Sequence, residues 1–286
     1  MTSITSLMAQ LDLLWSAYDS ALGEFSDAQW KRPFGTQWTF VDLPYHLAYF
    51  DHDVIAKSIK EGSTPEQKQL MRNHRQFNQW NEQHIAEGRR LSLEEVLDYM
   101  HSGRDAIRHA VAPLKDADLE RRVWISLTGY GGWRTVRFAL ELCRQHTWMH
   151  FTQLRLRLGI QSSMIDPVIT HAALDSIIRS FTSAFDRSFA KHKTLTTSFI
   201  LTGEGGGVWT IEVKEGSCKI REEAIAQADL WLTQSPDALI EILSNIRSPL
   251  TQISRGCLQV RGWKRLFTFL RLFHRPTLDQ QIELIP

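Results

Sequence analysis

The stretch CRQHTWMHFTQLR places His146 and His150 four residues apart, with neither Pro nor Gly between them. On a helix this spacing puts two imidazoles on one face, about one turn apart. Imidazoles so placed can hold one divalent cation, with bonds of about 2.0–2.1 Å for zinc. Two ligands bind weakly, so a third must come from another element. His46, within WTFVDLPYHLAYF, sits early in a second helical segment, with Tyr49, Phe50 and Asp53 along the stripe expected to face inward. A histidine there needs a polar partner, because burying a polar group unpaired costs roughly a few kcal/mol. Two readings satisfy it: a cation shared with the facing pair, or a core histidine bonded to a carbonyl.

The other chemistry-bearing residues read more plainly. His52 lies six residues after His46 and points elsewhere, while His74, His84, His101 and His109 lie in polar surroundings that predict solvated rings. Cys143, three residues before His146, can approach the same centre or serve as a small buried residue. Tyr45, Asp53 and Gln153 are candidates for supporting the ligands. Of six Lys and Arg between Arg255 and Arg275, with no acid among them, Arg261 and Arg265 are the candidates for holding an anionic substrate, since a guanidinium fork suits a carboxylate.

The first half of the chain reads as helices that can position the histidines. Leu7, Leu11, Leu14 and Tyr18 recur at three- and four-residue steps. Asp42 reads as an N-cap with Pro44 in the first turn, and Gly62 as a stop. Residues 64–88 read as a polar helical excursion. Ser92 and Glu95 form a capping-box pattern, and Gly159 ends the helix carrying the pair. Four long helices with modest loops predict an up-down four-helix bundle over residues 1–160. The period then changes. One helix is expected from Val168 to Lys191, then two β-type runs around a Gly-rich turn, a third run, a strand ending at Gln234, a helix capped by Ser235, a short strand GCLQVRG and a closing helix. That is a second, α+β domain over residues 167–286.

Composition narrows the function. The 286 residues are 43% apolar, enough for folded cores, and carry a net charge of +1, which gives no global pull toward nucleic acid. No apolar run approaches the roughly 20 residues of a membrane span. The opening MTSITSLMAQLDLLW shows no basic n-region before a cleavable apolar stretch. Three cysteines without a C-x-x-C pair argue against a disulfide framework or thiolate zinc site and fit a cytoplasmic location. Oligomerisation is left open.

WTFVDLPYHL, followed by FNQWNEQHI and QHTWMHFTQLR, resembles the DinB family, with Trp38, Thr39, His46 and Leu47 at its motif positions. The resemblance covers roughly residues 4–160. It implies a four-helix bundle whose metal triad is His46, His146 and His150. The later segments, with Ala228 and Asp229 ending one strand motif, the Ser-Pro-Asp helix start and Gly256 to Gly262, resemble the sterol-carrier-protein type 2 fold over roughly residues 168–275. That implies a five-stranded sheet able to enclose an apolar ligand. Together they are similar to the mycothiol-dependent maleylpyruvate isomerase arrangement. This chain departs from it in having two histidines where a glutamate and a histidine are common.

Three imidazoles leave zinc an open position, as in catalytic sites, and nickel and iron also suit imidazole. The expected function is a metal-dependent transferase or isomerase that uses a low-molecular-weight thiol on a small anionic substrate. A metal-dependent hydrolase is the first alternative. A non-enzymatic protein binding lipid or another small molecule, with a structural metal, is the second.

Overall fold

The computed structural model describes residues 3–34, 38–61, 74–125, 132–160 and 165–273. The residues up to His150 form one compact unit, and those from Phe151 onward form another.

The first unit is helical. α1 (Ile4–Gly23) begins where the Ser3 hydroxyl accepts from the Ser6 amide, and it buries Leu7, Leu11, Leu14, Trp15 and Tyr18. A single turn, α2 (Asp27–Trp30), precedes a two-residue antiparallel ribbon of β1 (Pro33–Phe34) and β2 (Trp38–Thr39). α3 (Asp42–Tyr49) continues through a π-helical turn, Phe50–Ala56, into α4 (Lys57–Glu61). Asp42 is thus the first helical residue and Val41 takes the cap position, one residue before the cap expected from sequence. α5 (His74–Gly88) follows, though the expected helix stop at Gly62 and the segment 62–73 lie outside the described residues. α6 (Leu93–Val111) opens with the Ser92–Glu95 capping box. It crosses α3 closely at Gly103, where a Cβ would sit 3.0 Å from the Ala48 carbonyl oxygen and 3.2 Å from Asp51 Cβ. A 3₁₀ turn at Asp116–Glu120 and the antiparallel pair β3 (Arg122–Ile125) and β4 (Gly132–Thr135) lead into α7 (Val136–Leu158). Neither short ribbon was legible in the sequence.

The second unit is built on a sheet. The helix expected from Val168 to Lys191 is broken into α8 (Pro167–Arg179), a 3₁₀ turn at Ser180–Ala184, and α9 (Arg187–Ala190). Local hydroxyl and carboxylate bonds end it: Ser180 and Thr182 donate to the carbonyls of Ile177 and Arg179, and Asp186 accepts from the Phe189 amide as a new cap. The strands are β5 (Thr194–Leu201), β6 (Gly207–Lys214), β7 (Ser217–Arg221), β8 (Leu230–Gln234) and β9 (Leu258–Arg261), in spatial order β7-β6-β5-β8-β9. Only β5 and β8 run parallel. β5 buries Leu195, Phe199 and Leu201, and β8 buries Leu230 and Leu232 at alternate positions, as strands packed against helices require. Trp209 of β6 donates to Asp175 of α8. α10 (Pro236–Leu243) and α11 (Pro249–Ser254) start at Ser235 and Ser248 caps with Pro in the first turn. α12 (Trp263–Leu272) closes the described chain. The sheet-containing region and the preceding helical region therefore follow the expected order.

Candidate metal centre

The corner that aims His46 is set by Asp42. Its carboxylate accepts from the Thr39 amide at 2.7 Å and the Thr39 hydroxyl at 3.1 Å, and takes both arms of Arg89, at 3.1 and 2.8 Å. The acid is buried, so these bonds fix where β2 ends and α3 begins. His46 follows one turn later. From α7, His146 and His150 reach the same point. His46 Nε2 and His150 Nε2 each lie 3.1 Å from His146 Nε2, and all three ligand atoms fall within 4.8 Å of one another. Nitrogens bound to one tetrahedral zinc at about 2.0–2.1 Å stand about 3.3 Å apart. The observed spacing is close to that value, so this donor set fits a divalent cation.

Protonation favours the same use. Burial, and then the neighbouring imidazoles, push the pKa of His46 and of His146 well below the ordinary histidine value. The rings are therefore neutral, which is the form that ligates. His46 Nδ1 lies 2.5 Å from the Tyr49 hydroxyl, which donates onward to Asn81 Oδ1 at 2.6 Å. Burial raises the phenol's pKa far enough that it keeps its proton. Since Tyr49 spends its one hydrogen on Asn81, it accepts from His46, so the imidazole proton sits on Nδ1. The bare lone pair of Nε2 then faces the other two rings. Trp38 packs on His46 at 4.9 Å, and Phe50 stacks on His146 at 3.9 Å. These aromatic walls lower the local dielectric.

A family model for the DinB superfamily matches residues 10–154, which include all three histidines. The chain belongs to the DinB superfamily. No curated protein matches it. Among solved structures, a mycothiol-dependent maleylpyruvate isomerase is 13% identical, with 85% of this chain and 90% of that one covered at a TM-score of 0.47. A mutant of such an isomerase is 12% identical, with coverages of 89% and 92% and the same TM-score, 0.47. The sec-alkylsulfatase Pisa1 from Pseudomonas sp. is 14% identical, with 50% of this chain covered at a TM-score of 0.33. This chain spans only 28% of that sulfatase chain and 25% of its double mutant.

Around the three histidines, several residues sit differently from their sequence reading. His84 is not a solvated ring: its side chain is only 20% exposed, packed 4.5 Å from the Tyr49 ring and 4.6 Å from Trp80. Its Nδ1 meets the Trp80 carbonyl at 2.8 Å and its Nε2 lies 3.5 Å from Asp53. Asn81 and His84 sit on α5, inside the segment FNQWNEQHI, but neither was read from the sequence as a partner of the histidines. Tyr45 packs against the Tyr49 and Tyr99 rings. His52 bonds Ser102 and stacks on Tyr99. His101 and His109 are exposed as expected, and the side chain of His74 lies outside the described residues.

Cys143 is buried and donates its S–H to Asp51 Oδ1 at 3.4 Å. Asp51 lies in the π-helical turn, fully buried, and burial pushes its carboxyl up to about 7 against the pull of Arg104. Gln153 belongs to the second unit, where it donates to Ser244 at 2.7 Å. Arg261 ends β9 and Arg265 lies on α12. Both are exposed, and they belong to the second unit, whereas the triad belongs to the first.

Proposed function

We propose that this chain is a metal-dependent enzyme whose single divalent cation is held by His46, His146 and His150. The convergence of three imidazoles carries the reading, with the Nε2 atoms of His46 and His150 each 3.1 Å from that of His146 and all three ligand atoms within 4.8 Å of one another. Zinc suits three neutral imidazoles best, with nickel and iron as the other candidates. A cation bound there supplies a Lewis acid with an open coordination position and lowers the pKa of a thiol or water brought to it. The chain's own residues do the rest. Tyr49 and Asn81 hold the His46 proton on Nδ1, Trp38 and Phe50 exclude water from the rings, and Asp42 with Arg89 fixes the helix start that aims His46.

The sequence resemblances to the DinB family and to the mycothiol-dependent maleylpyruvate isomerase arrangement support a low-molecular-weight thiol as co-substrate, in a transferase or isomerase acting on a small anionic molecule. They also support reading residues 1–160 as a DinB-type four-helix bundle and residues 167–286 as a sterol-carrier-protein type 2-like domain, a fold that can enclose an apolar ligand. The function rests on the triad and needs no role for Arg261 or Arg265. Elemental analysis of the purified protein, joined to an activity screen with and without low-molecular-weight thiols, tests it. One equivalent of metal and thiol-dependent turnover are expected. Metal-free protein refutes the centre, and turnover indifferent to thiol refutes the thiol chemistry.

A further inference from the structure

Helix α12 turns three apolar side chains to solvent. Trp263, Phe267 and Leu270 are 48%, 75% and 44% exposed, whereas Leu266, Phe269 and Leu272 of the same helix are buried. At about 100° per residue the exposed three fall within about 60° of one another, so they form one continuous stripe. The buried three form a second stripe that already anchors the helix. Lys264 and Arg271 run along one edge of the exposed stripe, about 80–100° round from Trp263. From Arg255 to Phe273 the chain carries Arg255, Arg261, Lys264, Arg265 and Arg271 and no Asp or Glu.

The helix is held firmly while it displays this face. Gly262 starts it at φ 95°, and a Cβ there would lie 2.2 Å from the Asp229 carbonyl oxygen. The Asp186 amide donates to the Leu272 carbonyl at 2.8 Å. Arg271 lies 5.5 Å over the Phe189 ring, and the Phe269 and Phe273 rings pack at 4.8 Å.

Single exposed apolar residues need no explanation, but a contiguous stripe on a helix whose other face is already buried does. Its chemistry narrows the occupant. Indole and phenyl rings favour the depth of lipid headgroups, and an acid-free cationic edge complements their phosphates. We propose that the exposed face of α12 docks onto the surface of an anionic phospholipid bilayer. Trp263, Phe267 and Leu270 enter the headgroup layer, and Lys264 and Arg271 meet its charge. The contact is peripheral, since no described helix is long and apolar enough to cross a membrane.

Co-sedimentation of the full chain with vesicles tests this, using phosphatidylcholine alone and equal parts phosphatidylcholine and phosphatidylglycerol. Pelleting with the anionic vesicles and weakening by salt are expected. Trp263→Ser with Phe267→Ser lowers partitioning at least about tenfold, and Lys264→Gln lowers it about fivefold. All three side chains are exposed, so an unchanged thermal midpoint and metal content verify that the variants fold. Absence of pelleting with anionic vesicles overturns the proposal, and so does pelleting that the substitutions leave unchanged. A dimer in gel filtration that the double substitution splits also overturns it, because a second copy then covers the stripe.

Discussion

Replacing Tyr49 by Phe isolates the tautomer argument. The substitution keeps the ring that packs on His84 and Trp80 and deletes only the hydroxyl between His46 Nδ1 and Asn81 Oδ1. Two consequences follow. Two buried polar atoms lose their partner, which costs about 1–3 kcal/mol of stability. The His46 proton is also no longer held on Nδ1. A neutral ring free to carry it on Nε2 must release it before ligating, and partners of this kind are worth about 10–100-fold in metal affinity. Titration of zinc against a chromophoric chelator near neutral pH reads the second effect, and thermal unfolding of the metal-free protein reads the first. Asn81→Ala is the companion variant. It frees the Tyr49 hydrogen to donate to His46 Nδ1, which drives the imidazole proton to Nε2. It therefore weakens metal binding while leaving the Tyr49 contact in place. A folded Tyr49→Phe protein with wild-type zinc affinity refutes the assignment.

Further outcomes are expected elsewhere. His150→Ala removes most of the bound metal, read by elemental analysis, and undiminished metal content rules out the triad. Asp51→Asn probes a carboxyl raised from 3.8 to about 7 by burial. Folding then binds a proton between those values, so wild-type stability falls as pH rises through that window. The shift of about three units caps the loss at about 4 kcal/mol. Denaturant midpoints of the two proteins should be alike near pH 4 and favour the Asp51→Asn variant above pH 7, and a difference that is constant with pH refutes it. Gly262→Ala forces a Cβ to 2.2 Å from the Asp229 carbonyl oxygen at a left-handed φ. It should destabilise the second unit by about 2 kcal/mol or more, read from its unfolding transition.

What the sequence declared was periodic and local. The four-residue spacing of His146 and His150 holds on any α-helix, so their common face was readable before any packing was known. The capping box at Ser92 and the Ser235 start are also local chemistry, and they appear where the residues predict; the Ser248 start was not read from the sequence. The strands around the Gly-rich turn announced themselves through β-branched and aromatic runs. The break of the long helix at Ser180 did not, because it depends on hydroxyls choosing backbone carbonyls over solvent. The partners of His46 were decided only in three dimensions. Asn81 and His84 stand on α5, in a segment that shares in the family resemblance but whose polarity did not single out either residue, and they reach Tyr49 only because helices distant in sequence pack side by side. Spacing along one helix follows from its 3.6-residue repeat. Meeting between helices follows from how their buried faces interlock, which is why the pairing of His146 with His150 was legible and the residues that set the protonation of His46 were not.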